Sequence, residues 1–295
     1  MSSITAEVVR KLREETGAGM MDCKSALVEA SGDMEAAREI LRKKGLAAAA
    51  KKAGRTAADG AVGAWISADA SVGVMVEVNC ETDFVAKTPD FQALVKDIAE
   101  HVANAAPANL AALADQPFTK QPSVTVGQLV QEKIAVIKEN IVVRRFERFQ
   151  RSAPGIVAAY IHPPAAKVGV LVELSAGTAD AATLQAYAKD VAMHAAAASP
   201  AAALYVARGE VPADVLEKEK EIYRAQAAAS GKPANVVDKI AEGKVKEYYG
   251  TFCLLEQPFI KDPKLSVGQM LKNGVEVKRF VRYRLGEESG KADAE

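Results

Sequence analysis

Cysteine, histidine and net charge are all scarce in this chain of 295 residues, and each shortage removes a class of function. The three cysteines, Cys23, Cys80 and Cys253, are an odd number with no C-x-x-C spacing. That excludes a disulfide framework and a zinc site, and predicts reduced, mostly buried thiols. The three histidines, His101, His162 and His194, form no metal-ligand spacing. Lys plus Arg and Asp plus Glu both number 38, so the formal net charge is zero. A protein that works by neutralising phosphates is normally more basic, so stable nucleic-acid binding is not expected. No apolar run reaches the roughly 18 residues of a membrane span, and the opening MSSITAEVVRKLREETG has no apolar signal-peptide core, so the expected compartment is the cytoplasm. Phosphate-loop, dinucleotide, zinc-protease and serine-hydrolase signatures are missing too, so no cofactor, metal or enzyme is implied.

What is present is organised around residues 73–91, GVMVEVNCETDFVAKTPDF. Val74, Val76, Val78 and Cys80 alternate with Met75, Glu77 and Asn79, the period of a strand with one buried face. Thr88 and Pro89 then supply a helix cap and a first-turn proline, and Phe91, Leu94, Val95, Ile98 and Val102 form one apolar helical stripe. Glu81-Thr82-Asp83-Phe84 therefore occupies a strand-to-helix corner, where a rigid scaffold commonly presents functional groups.

Residues 1–45 read as a three-helix module. Its helices run about 6–15 with Thr5 as cap, from Met20 after Gly17-Ala18-Gly19, and from Ser31-Gly32-Asp33 to Gly45. Met20 and Met21 are adjacent, so helical geometry turns one of them outward, either as an ordinary half-exposed side chain or as an adaptable contact. Residues 46–59, an alanine-rich segment with Lys51, Lys52 and Arg55, read as a basic linker. No aromatic residues are interleaved there for stacking on RNA, which favours a solvated connection.

Beyond the linker the chain repeats itself. Gly73-Val-Met-Val-Glu-Val matches Gly169-Val-Leu-Val-Glu-Leu, His101 matches His194, Gln116-Pro-Phe matches Gln257-Pro-Phe, and Arg144-Arg-Phe matches Lys278-Arg-Phe. Each copy predicts two strands joined by a turn (61–67 with 73–80; 155–162 with 168–175), then helices, then a closing strand (141–149; 275–283). The fold class is therefore α+β: two related antiparallel-sheet-plus-helix subdomains, 60–150 and 151–285, ahead of a polar tail, 286–295. The repeated histidines are read as structural, and a thiol site of Cys80, Glu81 and Asp83 with His101 is set aside because two helical turns or more separate the partners.

The copies differ in two places. Gly73 to Lys96 is 23 steps and Gly169 to Lys189 is 20, and the three extra residues fall at Thr82-Asp83-Phe84. A core shared by both copies cannot require Phe84, because the second copy has no aromatic there. His101 to Gln116 is 15 steps and His194 to Gln257 is 63, an insertion of 48 residues at about 200–250. Val215, Ile222 and Ala229 on one helix, Gly231-Lys232-Pro233 as the break, and Val237, Ile240 and Lys244 on the return predict a coiled-coil hairpin, open to docking or homodimerisation.

Two stretches, LREETGAGMMDCKSAL at 12–27 and EVNCETDFVA at 77–86, resemble the signatures of the elongation factor Ts family of bacterial translation. The resemblance implies an N-terminal module of the ubiquitin-associated type, a two-part core and an inserted coiled coil. It implies a guanine-nucleotide exchange factor whose partner is elongation factor Tu. By motif, Asp83 and Phe84, flanked by Thr82 and Val85, would press into the partner's G domain near its magnesium site. Leu12, Met20 and Met21 would touch the same domain, and the second subdomain would hold another. Asp83 would bond to partner amides or cap the following turn. The alternative is a translation-associated scaffold holding RNA through the linker and hairpin. Some family members continue into a further helical module, in place of which this chain shows GEESGKADAE.

Overall fold

The computed structural model describes residues 4–152, 154–231 and 233–287. Three capped helices open the chain: α1 (Ala6–Thr16), α2 (Met20–Glu29) and α3 (Met34–Lys52). Thr5 accepts from the amide of Val8 and Asp33 from that of Ala36, while Gly17 ends α1 in the left-handed conformation, φ 67°. Val9, Leu12, Cys23, Ala26, Leu27 and Ala37 close the module's core.

The third helix does not stop at Gly45 as expected but runs on to Lys52. A Cβ at Gly45 would lie 3.1 Å from Ala135 Cβ, so glycine here lets two helices approach closely instead of capping one. The alanine run that follows is the strongest of helix formers and offsets the glycine. The extended part of the linker thus shrinks to the few residues after Lys52.

The first repeat comprises β1 (Asp59–Ile66), β2 (Val72–Cys80), α4 (Asp83–Ala86), α5 (Pro89–Ala105), α6 (Leu110–Asp115), β3 (Pro117–Phe118), β4 (Gln121–Thr125), α7 (Val126–Ile137) and β5 (Val142–Gln150). The second comprises β6 (Gly155–Ile161), β7 (Val168–Ser175), α8 (Ala181–Ala197), α9 (Ala213–Ala229), α10 (Ala234–Phe252), β8 (Pro258–Phe259), β9 (Asp262–Ser266), α11 (Val267–Met270) and β10 (Glu276–Arg284). Their sheets are antiparallel and ordered β1-β2-β5 and β6-β7-β10. Each carries its long helix, α5 or α8, on one face.

Along β2, every residue from Gly73 to Cys80 is buried, so the reading of one buried face is corrected. The face bearing Met75 packs on the sheet of the other repeat, where Val62, Met75 and Phe149 meet Val157, Leu171 and Tyr283. The matching glycines Gly73 and Gly169 make that approach possible. A Cβ at Gly73 would fall 2.4 Å from Val157 Cγ1, and one at Gly169 2.7 Å from Val62 Cγ1.

Burial of Glu77 and Glu173 on that inner face requires compensation. Arg145 Nε donates to Glu77 Oε2 at 2.7 Å, and Arg279 Nε to Glu173 Oε2 at 2.7 Å. Both strands bulge one residue before the arginine, which turns its side chain inward. Each guanidinium also lies 4.1 Å from the centroid of an aromatic ring on the opposite closing strand, Arg145 over Tyr283 and Arg279 over Phe149. The two copies are thus locked by reciprocal contacts, as in a symmetric dimer fused into one chain.

The paired histidines are structural. Nδ1 of His101 accepts from the amide of Thr119, and Nδ1 of His194 from that of Ile260, each at 3.2 Å. Nε2 then donates to Gln116 Oε1 at 3.1 Å or Gln257 Oε1 at 2.9 Å, which leaves both rings neutral. Burial depresses both histidine pKa values, against a smaller upward pull from the glutamines.

Within the insertion, α9 and α10 form the expected hairpin, with a different seam. Ile222 is exposed; Leu216, Tyr223 and Val237 are half-buried and Ala227, Ala241, Val245 and Tyr248 buried instead. Of the heptad positions read from the sequence, Val215 packs at the base of the hairpin, whereas Ile222 and Ala229 are exposed. At the base Arg208 pairs with Glu256 and lies over Tyr249. Most of the expected polar tail, beyond Glu287, lies outside the described residues. No helix among the described residues is long and apolar enough to cross a membrane.

Candidate functional site

Backbone capping produces the corner. The strand β2 ends at Cys80, whose thiol donates to the Thr82 carbonyl at 3.2 Å. Burial, reinforced by the Glu139 charge, pushes that thiol up to about 12, which removes it as a nucleophile. Thr82, in extended conformation, caps the single turn of α4 by accepting from the amide of Val85. Thr88 caps α5 as expected, accepting from the amide of Phe91, with Pro89 in the first turn. Phe84 is therefore carried on one helical turn between two caps.

Phe84 is 80% exposed. The neighbouring Val85 is half-buried against the first core, and Ala86 is buried, so the turn is anchored on one side and offers Phe84 on the other. An exposed phenylalanine on a fixed backbone needs a reason outside the folding of the chain. Asp83 does not cap the turn, because Thr82 does. The Asp83 carboxylate instead accepts from Lys87 Nζ at 2.6 Å, a bond that holds its pKa below the usual carboxylate range and raises that of Lys87.

The turn between β6 and β7 brings the second repeat to the same place. Lys167 pairs with Asp59 at 3.0 Å, and its charge also lowers the pKa of Asp83. From behind, Glu139 receives the amides of Glu81 and Thr82, both at 3.0 Å, and the Thr82 hydroxyl at 2.6 Å. Lys87, Glu139 and Lys167 were not identified from the sequence. Comparing the copies beyond the corner itself offered a signal for Glu139, since Lys138-Glu139-Asn140 aligns with Lys272-Asn273-Gly274.

In the N-terminal module, Met20 and Met21 are 42% and 73% exposed, so both face outward where one was expected. Leu12 is fully buried in the module core and has no surface to offer; the contact expected of it is corrected to a supporting role. Asp22 on the methionine helix reaches Lys138 Nζ at 3.6 Å, one residue from the glutamate behind the corner. The methionines and Phe84 are thus displayed from elements that meet at the end of α7. Arg55, weighed above as an RNA contact, pairs with Glu81 at 3.5 Å. An apolar groove of about 330 Å³ between α3, α6 and α7 is lined by Ala49, Leu110, Val130 and Ile134 and carries no titratable side chain. No metal-holding cluster of His, Cys, Asp or Glu occurs among the described residues.

Comparison with known proteins supports the same reading of the chain. The sequence model of the family described as Elongation factor TS matches residues 81–287, from the corner to just past the last strand. Elongation factor Ts of Trichlorobacter lovleyi is 50% identical over 295 residues, covering 97% of this chain and 93% of that protein. Elongation factor Ts of Methylococcus capsulatus is 49% identical and that of Halothermothrix orenii 43%, over 97% and 96% of this chain and 93% of each relative. With a family match over most of its length and near-half identity to full-length relatives, this chain belongs to the elongation factor Ts family.

Proposed function

We propose that this protein is a cytoplasmic guanine-nucleotide exchange factor that binds elongation factor Tu in its GDP form, promotes GDP release and so lets GTP rebind. Family membership supports the general role. The single observation that carries the mechanism is Phe84, an exposed aromatic on a doubly capped turn that the second repeat lacks. On this reading the chain is no enzyme and uses no cofactor; it works by differential binding.

Phe84 presses into the G domain of the partner near the magnesium and phosphates, with Thr82 and Val85 fixing the turn and Asp83 bonding to shifted partner amides. Met20 and Met21 contact the same domain, and the second subdomain holds another domain of elongation factor Tu. Burying a phenylalanine side chain is worth about 3 kcal/mol, and each 1.4 kcal/mol is tenfold in an equilibrium. One ring is therefore sufficient for an acceleration of about two orders of magnitude. Exchange requires the ring to fit the nucleotide-free partner better than the GDP-bound one. Linkage then requires GDP to weaken this protein's binding by the same factor.

Release of a fluorescent GDP from preloaded elongation factor Tu tests the reading. Acceleration on adding this protein, with reciprocal weakening of the complex by GDP, is the expected result. Unchanged release contradicts it.

A further inference from the structure

An exposed ring wedges only if the backbone beneath it does not yield, and Phe84 itself makes little contact with the protein that carries it. The stiffness has to come from elsewhere, and hydrogen bonds from a distant part of the chain supply it. After α7 the chain turns at Lys138, a non-glycine residue in the left-handed region, φ 70°, and this aims Glu139 at the corner. One carboxylate oxygen accepts the amides of Glu81 and Thr82 and the other the Thr82 hydroxyl, at 3.0, 3.0 and 2.6 Å. Glu81 returns the contact, its Oε1 accepting the amide of Asn140 at 2.7 Å. Two segments nearly sixty residues apart thus exchange charge-assisted bonds, about twice as strong as neutral ones.

The second repeat supplies an internal control. At its equivalent position the amide and hydroxyl of Thr178 bond to the carbonyl of Asn273, at 2.8 and 3.2 Å, with no carboxylate involved. That copy has no aromatic to hold. The carboxylate clamp and the phenylalanine occur together.

We infer that Glu139 is a positioning residue for nucleotide exchange, acting through the Thr82 turn to hold Phe84 in place. This inference rests on the exchange reading above, and its test separates the two. GDP release from elongation factor Tu is measured with the parent, Glu139→Ala, Phe84→Ala and the double variant. Glu139→Ala is expected to lose roughly tenfold of the acceleration in the parent and almost none in the Phe84→Ala background. Glu139→Gln, whose amide oxygen can still accept the two backbone bonds, should recover part of the loss. Amide hydrogen exchange on the full chain gives a readout independent of the partner: protection at Glu81 and Thr82 falls roughly tenfold or more in Glu139→Ala while the strand cores are unchanged. If Glu139→Ala does not fold, Glu139→Asp keeps the charge, withdraws the carboxylate by one methylene and carries the same readouts. Equal losses with and without Phe84, or retained amide protection, overturns the inference. If the parent does not accelerate release, the exchange reading fails, and amide protection alone decides whether Glu139 holds the turn.

Discussion

The two repeats of this chain solve the same folding problem with the same parts. Each has a glycine that admits the opposite sheet, a buried glutamate paired with an arginine behind a bulge, and a neutral histidine bonded to a glutamine. They part company where the strand meets the helix. The first repeat builds a capped, clamped turn that exposes an aromatic ring, and the second builds a plain turn and spends its extra length on a helical hairpin. The shared features account for stability, and the unshared ones are where a partner can be recognised. Conservation between copies identifies the scaffold, so divergence between them identifies candidate function.

The comparison can be broken most forcefully at the buried glutamates. Glu77→Ala leaves Arg145, whose side chain is 15% exposed, without its partner, and should cost about 3 kcal/mol in urea unfolding. Glu173→Ala should cost distinctly less, because Arg279 at 43% exposure can return to water. Equal costs would mean that solvent access to the arginine is irrelevant. Next come the glycines. Gly73→Ala drives a methyl against Val157 and should cost roughly 2 kcal/mol, also by urea unfolding. Gly169→Ala also meets side-chain atoms, but the nearest, Val62 Cγ1, is 2.7 Å away instead of 2.4 Å, and the change should cost less.

A pH series sharpens the symmetry. Burial lowers the pKa of both His101 and His194 below the ordinary value of 6.5, so below that pH the unfolded chain binds protons that the folded chain refuses. Stability is then complete above about pH 6.5 and declines as the pH falls towards the depressed values. The thermal midpoint should drop on acidification in that window, and His101→Gln or His194→Gln should each remove part of the slope. A slope unchanged in both variants would contradict the neutral-ring assignment. The smallest effect is expected on the hairpin. Ile222→Ser should stay within about 0.5 kcal/mol by thermal unfolding, whereas Tyr223→Ala should be clearly destabilising. The reverse order would restore the heptad seam read from the sequence.

Much of this architecture was legible because it is local or repeated. The caps at Thr5 and Thr88 lie within a few residues of the amides they bond, and the matching motifs predict two similar sheets from the sequence alone. What escaped the sequence depends on contacts between distant segments. The polar alternation along β2 suggests a solvent face, yet Glu77 is buried because Arg145, 68 residues on, returns to pair with it. The helix α3 passes through Gly45 because Ala135 packs there, a neighbour that no local pattern reveals. At the site, Phe84 was readable as an aromatic present in one copy only. Glu139 differs between the copies too, but its role appears only when residues 57 and 58 positions apart are brought together. Leu12 shows the converse error, a residue inside a recognisable motif whose side chain holds the module together from within.

The central claim is that an exposed ring on a rigid turn does the work of exchange, and Phe84→Ala tests it most directly. Stopped-flow release of fluorescent GDP from elongation factor Tu, chased with excess GDP, compares the parent with a variant whose unfolding midpoint is unchanged. The account predicts strong acceleration by the parent and a loss of about a hundredfold in the variant. A folded Phe84→Ala protein that accelerates release as well as the parent would contradict it.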